Sequence, residues 1–221
     1  MAEAPSAPRP YHSPRREQQA AATRRAILDA ARRLFVRYGY PATTMEAIAA
    51  EAGVSLKTAY LPFATKSGLL RALWDVHLKG DESDAPVGEH EWFRQVMEER
   101  DPVRKLRLNA RNSRAAKVRI GDMFKVIRGA AETDADCRAL WELIQKDFHA
   151  NQRLVVQSIH RDGGLRSGLT VARATDILWT LNHPDVWLLL TGERGWPPPT
   201  YERWLAQTSC GQLLAAPSQL A

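Results

Sequence analysis

The sequence lacks the features of membrane, secreted and metal-binding proteins. No apolar run reaches the roughly 18 residues that a membrane-spanning helix needs, and no hydrophobic segment of a signal peptide stands at the N-terminus. The two cysteines, Cys137 and Cys210, are far apart and outside any metal-ligand spacing. We therefore expect reduced thiols in a cytoplasmic protein, with no metal site and no membrane partner.

Catalytic motifs and strand patterns are missing as well. The sequence contains no G-x-S-x-G, no H-E-x-x-H, no P-loop and no G-x-G-x-x-G followed by a strand. His183 and Asp185 lie two residues apart and would point to different faces of a helix. No alternation of period two persists, and no Asn-Gly or Asp-Gly hairpin occurs. The pattern predicts an all-α protein that is not an enzyme and needs no cofactor.

The segment 43–66 has the pattern of two short helices around a turn. Thr43 followed by Glu46 fits a capping box, Gly53 suits a left-handed turn, and Ser55 is a good N-cap for the second helix. Apolar residues recur at i, i+3, i+4 and i+7, as on a buried helix face; they are Met45, Ile48, Ala49 and Ala52. Such a pair is a helix-turn-helix, which places its second helix in the DNA major groove.

Residues 24–74 resemble the N-terminal domain of the tetracycline-repressor (TetR) family of bacterial regulators. The resemblance is carried by the joint spacing of Phe35, Gly39, Thr43, Thr44, Ile48, Ala49, Ala52, Gly53, Val54, Ser55, Tyr60, Phe63, Lys66, Leu69 and Leu70. It implies a three-helix DNA-binding bundle joined to a larger helical domain for ligand binding and dimerisation. It further implies a bacterial cytoplasmic homodimer, most often a repressor, that binds a palindromic operator in double-stranded DNA and responds to a small-molecule effector. The sequence does not identify that effector.

Composition and charge divide the chain into three parts. We expect a flexible basic arm over 1–22, the DNA-binding domain over 23–80, and the helical effector-binding and dimerisation domain over 81–215, beginning with a linker over 81–88. Residues 1–80 contain 12 lysines and arginines against 6 acidic residues, whereas the remainder contains 19 of each. The whole net charge of +6 thus lies in the half that contains the helix-turn-helix, which favours a polyanionic partner.

The DNA-contacting residues are expected on and around a recognition helix running from Ser55 to about Leu61. Lys57 can read guanine O6 and N7, and Leu56 can touch a thymine methyl group. Pro62 ends this helix early, and with Leu61 it departs from the family pattern. The candidate DNA-binding residues are Thr43, Thr44, Ser55, Leu56, Lys57, Thr58, Tyr60 and Lys66.

Two of these basic features have open interpretations. Lys66, at the first turn of its helix, is either a phosphate contact, as the resemblance implies, or a solvated lysine. The arm either contacts phosphates or a minor groove or is a solubilising tail; its arginines are Arg9, Arg15, Arg16, Arg24 and Arg25.

Further helices are expected at about 89–99, 102–131, 135–161, 171–191 and 199–214. The helix over 171–191 is apolar nearly all round, which favours a dimer interface over a buried monomer helix. Pro184 should kink it, and the nearby polar residues can serve either a ligand or the dimer. The ligand-binding candidates are Trp92, Phe124, Trp141, Phe148, His149, Gln152, Trp179, Asn182 and His183; an aromatic stripe at helical spacing is equally compatible with core.

The segment 102–128 contains nine basic residues and a single acid, Asp122. Such a run is usually a solvated helix face, and the alternative is a site for an anionic effector. A ligand-independent DNA-binding adaptor is the other functional interpretation of the chain. It predicts a sealed second domain, whereas a sensor predicts an apolar cavity of a few hundred Å³ with convergent polar groups.

Overall fold

The structure is a computed structural model that describes residues 14–79 and 90–215. The described residues form ten α-helices: α1 Pro14–Tyr38, α2 Met45–Glu51, α3 Leu56–Tyr60, α4 Lys66–Lys79, α5 Glu91–Glu98, α6 Pro102–Ala131, α7 Ala135–Arg161, α8 Val171–Leu181, α9 Pro184–Trp187 and α10 Pro198–Leu213. A π-helical segment, Leu188–Glu193, follows α9. The all-α fold is confirmed. The linker expected over 81–88 lies outside the described residues.

The first helix begins earlier than the sequence indicated. Residues 14–22, expected to belong to the flexible arm, are the first turns of α1. Pro14 suits the first turn of a helix, and the Arg, Glu, Gln and Ala residues that follow have high intrinsic helix propensity. These residues are largely exposed, which explains why no apolar period announced the helix.

The small N-terminal bundle shares its hydrophobic core with the two long helices α6 and α7. Ile27, Phe35, Ile48 and Leu69 are fully buried and belong to one continuous cluster with side chains of α6 and α7. The rings of Trp74 on α4 and Phe124 on α6 meet edge to face at 5.3 Å. Displacement of either long helix therefore acts directly on the bundle.

Polar contacts reinforce this junction between α1 and the long helices. Arg32 pairs with Asp122 at 2.9 Å and also donates to the carbonyl of Arg119 at 2.9 Å. The Tyr40 hydroxyl donates to Asp134, the N-cap of α7, at 2.6 Å.

The helix predicted over 171–191 is broken rather than kinked. α8 ends at Leu181 with Asn182 as its C-cap, and His183 has extended backbone angles and caps α9, where Pro184 occupies the first helical position. Pro184 disfavours helical angles at the preceding residue and is well placed at a helix start. The chain therefore ends one helix and starts another at this point.

The close approach of α6 and α9 requires a glycine. A Cβ atom built on Gly121 would lie 2.9 Å from Nε1 of Trp187, a buried side chain of α9. Gly129, two turns further along α6, has open space around the same position.

Candidate nucleic-acid interface and internal cavity

The turn between α2 and α3 has the geometry that its sequence predicts. Gly53 has φ +67°, in the left-handed region. The Ser55 hydroxyl accepts a hydrogen bond from the Thr58 amide at 3.1 Å and so caps α3. Ala59 is fully buried beneath α3, which fixes the orientation of the helix and leaves its other face to solvent.

That outer face carries most of the residues expected to touch DNA. Leu56 and Tyr60 are 38% and 39% exposed, and Ser55 and Lys57 are exposed as well. Thr58 is half-buried and its hydroxyl bonds that of Ser55 at 2.8 Å. α3 thus presents a short basic and apolar ridge.

Threonine 44, rather than Thr43, caps α2. The Thr44 hydroxyl accepts from the Ala47 amide at 3.2 Å, and Thr44 is exposed beside the ridge. Thr43 is buried, and its hydroxyl donates to the Gly39 carbonyl at 2.8 Å. The predicted capping box of Thr43 and Glu46 is therefore wrong by one residue. Thr43 holds the end of α1 and has no hydroxyl at the surface to offer DNA.

Lys66 has a role that neither sequence interpretation anticipated. Its Nζ donates to the carbonyls of Tyr40 and Thr43, each at 3.0 Å, and lies 4.1 Å from the centroid of the Tyr40 ring. The side chain ties the start of α4 to the turn between α1 and α2. In this geometry its charge is used within the bundle rather than directed outward.

Arg24 extends the basic surface from α1 towards the helix-turn-helix. Its guanidinium lies over the ring of Phe63, 5.2 Å from the centroid, just beyond the end of α3. Arg15, Arg16 and Arg25 are exposed on the same helix. Arg9 lies outside the described residues.

A cavity of about 560 Å³ lies between α4, α5, α6 and α7. Much of its wall is apolar and aromatic, contributed by Trp74, Trp92, Phe93, Ile120, Phe124, Leu140, Ile144 and Phe148. Polar groups converge on it from α6 and α7, namely Asn109, Asn112, Ser113, Lys117, Gln145, Asn151 and Gln152. Volume and lining are those of a small-molecule site, which favours a sensor over a sealed adaptor.

Comparison with known proteins agrees with this architecture. Residues 27–73 match the family model described as bacterial regulatory proteins, tetR family. The N-terminal helix-turn-helix bundle is therefore similar to that of the TetR family. It is 36% identical over 91 residues to the HTH-type transcriptional regulator AcrR of Shigella flexneri, a match that covers 41% of this chain and 40% of that protein. The chain thus matches less than half the length of this curated relative.

Solved structures share the fold over most of the chain. NalD, described as the secondary repressor of the MexAB-OprM multidrug efflux pump in Pseudomonas aeruginosa, is 23% identical with a TM-score of 0.67, covering 88% of this chain and 98% of NalD. A SmeT–triclosan complex is 19% identical with a TM-score of 0.69, covering 89% of this chain and 93% of SmeT. In both cases the shared fold includes the larger helical domain as well as the N-terminal bundle.

Only some of the predicted ligand residues line the cavity. Trp92, Phe124, Phe148 and Gln152 do so. The rest belong to the surrounding framework; they are Trp141, His149, Trp179, Asn182 and His183.

Three of these five residues make contacts elsewhere in the helical domain. Trp141 packs against the core shared with the DNA-binding bundle. His149 lies 3.1 Å from Asp176, and Trp179 packs edge to face on His149 and His183. Helical spacing predicted Trp141 and His149 on one face of α7 with Phe148, but of these three only Phe148 borders the cavity.

His183 supports the cavity wall from behind. Its Nδ1 accepts from the Asp185 amide at 3.2 Å, so Nε2 carries the proton and donates to Gln145 Oε1 at 3.1 Å. Burial lowers the pKa of His183, while Asp185 opposes the shift and Lys117 and Arg128 add to it.

The sequence missed Lys117. This lysine lines the cavity and is buried, with Nζ bonded to the Asn182 carbonyl at 2.6 Å and to the Tyr201 hydroxyl at 2.7 Å. Burial holds the pKa of Lys117 well below its ordinary range. The basic run over 102–128 is accordingly not a uniformly solvated face. Its charge surplus was noted, but nothing in the run distinguishes Lys117 from the other basic residues.

Proposed function

We propose that this protein is a homodimeric, sequence-specific DNA-binding regulator, a repressor whose affinity for its operator falls when a small molecule occupies the cavity. The observation that carries the proposal is the outer face of α3. Leu56, Lys57 and Tyr60 project from a helix whose opposite side is locked into the core through Ala59. A rigid, exposed second helix of a helix-turn-helix is the element that reads the major groove.

The residues on this face fit distinct parts of DNA. Lys57 reads guanine O6 and N7, and Leu56 packs against a thymine methyl group. Thr44 and Ser55, exposed at the N-termini of α2 and α3, offer hydroxyl and amide groups to phosphates. Phosphate contacts set the position of the protein on the duplex, while the Lys57 and Leu56 contacts specify the sequence.

A second copy of the chain supplies the second recognition helix. A palindromic operator has half-sites about 34–36 Å apart, which requires a two-fold dimer. The apolar region around α8, α9 and the π-helical segment supports this arrangement, since Leu189 is 50% exposed there and continues a largely apolar stretch.

The effector would act through α4. Trp74 and Leu78 on this helix line the cavity, while Lys66 at its start holds the turn between α1 and α2. A ligand that binds more tightly to a state with displaced α4 shifts the population towards that state, and tenfold preference corresponds to about 1.4 kcal/mol. The repressor description of NalD and the triclosan bound to SmeT support the same type of regulation here.

Selection of binding sites from random duplex DNA tests the proposal. We expect the full chain to enrich a palindrome with half-sites about one helical turn apart. Lys57→Ala should relax the choice of one base pair and cost about 1–3 kcal/mol. The matched control is Lys146→Ala, an exposed lysine on α7, which should leave the selected sequence and the affinity unchanged.

Two outcomes would count against the proposal. Absence of any enriched sequence, with binding that disappears at modest salt, would leave only non-specific attraction to the basic half. Enrichment of a sequence whose affinity no cavity ligand alters would favour the ligand-independent adaptor.

A further inference from the structure

The inner wall of the cavity is formed by a connected set of polar side chains. Asn182 donates to Ser113 Oγ at 2.7 Å and to Gln152 Oε1 at 3.4 Å. Asn109 donates to the same oxygen of Gln152 at 3.3 Å. Ser113, Gln152 and Asn109 line the cavity, and Asn182 lies behind them. Asn182 also contacts Lys117, because its backbone carbonyl accepts a hydrogen bond from Lys117 Nζ. It therefore links Lys117 to the other polar residues of the cavity wall.

Lys117 is the ionisable group at the centre of this set. Burial disfavours its ammonium form, whereas the three oxygens around Nζ match the three N–H bonds of that form. The oxygens that its Nζ contacts are a carbonyl, an amide and a phenol. No carboxylate within residues 14–79 and 90–215 forms an ion pair with it, whereas Arg114 on the same helix pairs with Glu202 and Arg128 pairs with Asp185. A buried cation without an anionic partner is costly, and an anion brought close to it in a low-dielectric site relieves that cost.

The hydrogen-bonding capacity of the wall is weighted towards donors. Nε1 of Trp92 and Nε2 of Gln145 are buried and have no acceptor within the described part of the chain. Ser113 Oγ and Gln152 Oε1 already accept from Asn182, so the remaining capacity of those two side chains includes the Ser113 proton and the Gln152 amide hydrogens. A carboxylate accepts hydrogen bonds only, through two oxygens, and therefore complements this wall.

The acidic residues of the lining do not occupy that position. Asp147 is exposed, and Asp75 is half-buried with its carboxylate 3.7 Å from Arg71. Both belong to the solvent side of the cavity. The inner end therefore combines a buried positive charge and spare donors, while the surrounding walls are apolar and aromatic.

We propose that the effector is an organic carboxylate, a mainly apolar molecule whose carboxylate lies against Ser113 and Gln152 in the field of Lys117. The inference rests on the proposed function, since it specifies the ligand of the same cavity. Aromatic walls contributed by Trp74, Phe93 and Phe124 accommodate the apolar body. The acid is recognised by charge and hydrogen bonding, and its body by burial.

Matched acid and amide pairs test the ligand class directly. Naphthaleneacetate with naphthaleneacetamide, and phenylbutyrate with phenylbutyramide, have similar shapes and differ in charge. Titration calorimetry with the full chain should give an affinity at least ~10-fold higher for each acid, a difference of ~1.4 kcal/mol. Equal affinities within each pair, or binding of neither acid, would overturn the assignment of a carboxylate.

Two variants locate the origin of this preference. Lys117→Met keeps an unbranched side chain of similar length and removes the amine, and should reduce the ratio of acid to amide affinity to about one. Lys105→Met is the control, because Lys105 is a buried lysine on the same helix that contacts Ser158 and Asp162 outside the cavity. It should preserve the ratio. A Lys117→Met protein that folds and retains the preference would contradict the inference.

Ser113→Ala gives a second variant should Lys117→Met fail to fold. It removes one donor at the wall and should lower acid affinity more than amide affinity, whereas an equal loss for both would contradict the placement of the carboxylate. Operator selection, which uses no ligand, tests DNA recognition independently. A protein that selects an operator and binds both members of each pair equally would retain the proposed function and refute only the ligand class.

Discussion

The ammonium group of Lys66 is held by Tyr40 in two ways, through a 3.0 Å hydrogen bond to its carbonyl and through a 4.1 Å approach to the centroid of its ring. The same group also donates to the Thr43 carbonyl at 3.0 Å. A lysine in the first turn of a helix is unfavourable with respect to the helix dipole. Here the hydrogen bonds to the Tyr40 and Thr43 carbonyls, in the turn between α1 and α2, offset that cost.

We expect Lys66→Met to lower the free energy of unfolding by about 2 kcal/mol, because two hydrogen bonds from a charged donor are lost and two carbonyls lose a partner. Urea unfolding followed by circular dichroism measures the change. Lys57→Met, at an exposed position on α3, is the control and should alter stability by less than about 0.5 kcal/mol. Equal stability of both variants would mean that the Lys66 contacts contribute nothing in solution.

Tyr40→Phe removes the hydrogen bond to Asp134, the N-cap of α7. We expect a loss of about 1–2 kcal/mol at neutral pH, with no comparable effect of Tyr38→Phe, since Tyr38 is 53% exposed. Chemical denaturation of the two variants and the parent provides the comparison.

The loss in Tyr40→Phe should depend on pH. The hydrogen bond from Tyr40 lowers the pKa of Asp134. A carboxylate with a lowered pKa contributes stability that is complete above its unfolded value of about 4 and disappears as the pH falls through the folded value. The difference between parent and variant should therefore shrink in acid. A difference that stayed constant at all pH values would show that the bond does not discriminate between the ionised and protonated carboxyl group.

His183→Asn should remove part of the pH dependence of stability on the acid side of neutrality. Burial lowers the pKa of His183 in the folded state, so the unfolded chain takes up a proton first as the pH falls below about 6.5, and stability decreases there. Protonation at Nδ1 would also cost the cap on the Asp185 amide. Asparagine caps helices well and does not titrate.

Thermal unfolding of the parent and His183→Asn between neutral and mildly acidic pH tests this expectation. His160→Asn, at an exposed histidine near the end of α7, should keep the pH dependence of the parent. Parallel curves for the parent and His183→Asn would refute a role for His183.

Two glycines on α6 should respond in opposite directions to the same change. Gly121→Ala introduces a Cβ atom 2.9 Å from Nε1 of Trp187. Because this buried aromatic side chain must move, the substitution should lower the free energy of unfolding by about 1–3 kcal/mol. Gly129→Ala meets open space and should stabilise α6 by up to about 1 kcal/mol through helix propensity. Thermal unfolding of the two variants and the parent measures both changes. Stabilisation by both substitutions would show that α6 and α9 leave room for a Cβ atom at position 121.

The sequence was most informative where local rules apply. Ser55 and Gly53 located α3 and the turn before it, the start of α2 was predicted one residue early, and the bounds expected for α6 and α7 agree with the structure. All of these depend on residues within a few positions of one another.

It was less informative where distant segments meet. Lys117 resembles a solvated lysine of a basic run until Asn182 and Tyr201, more than sixty positions away, close over it. Helical periodicity placed Trp141 and Phe148 on one face of α7. It did not indicate that Phe148 borders the cavity and Trp141 does not. The break at Asn182 and His183 was predicted only as a kink at Pro184, because the apolar residues on either side continue the pattern of one long helix.

Asn182 closes α8 and at the same time forms part of the framework that supports the cavity. Substitution there therefore changes two properties together, since any gain or loss in ligand selectivity comes with an altered helix end. Laboratory evolution of new effector responses would accordingly discard useful variants at this position for poor folding. Starting from a parent stabilised elsewhere, for instance at Gly129, would make those sequences accessible.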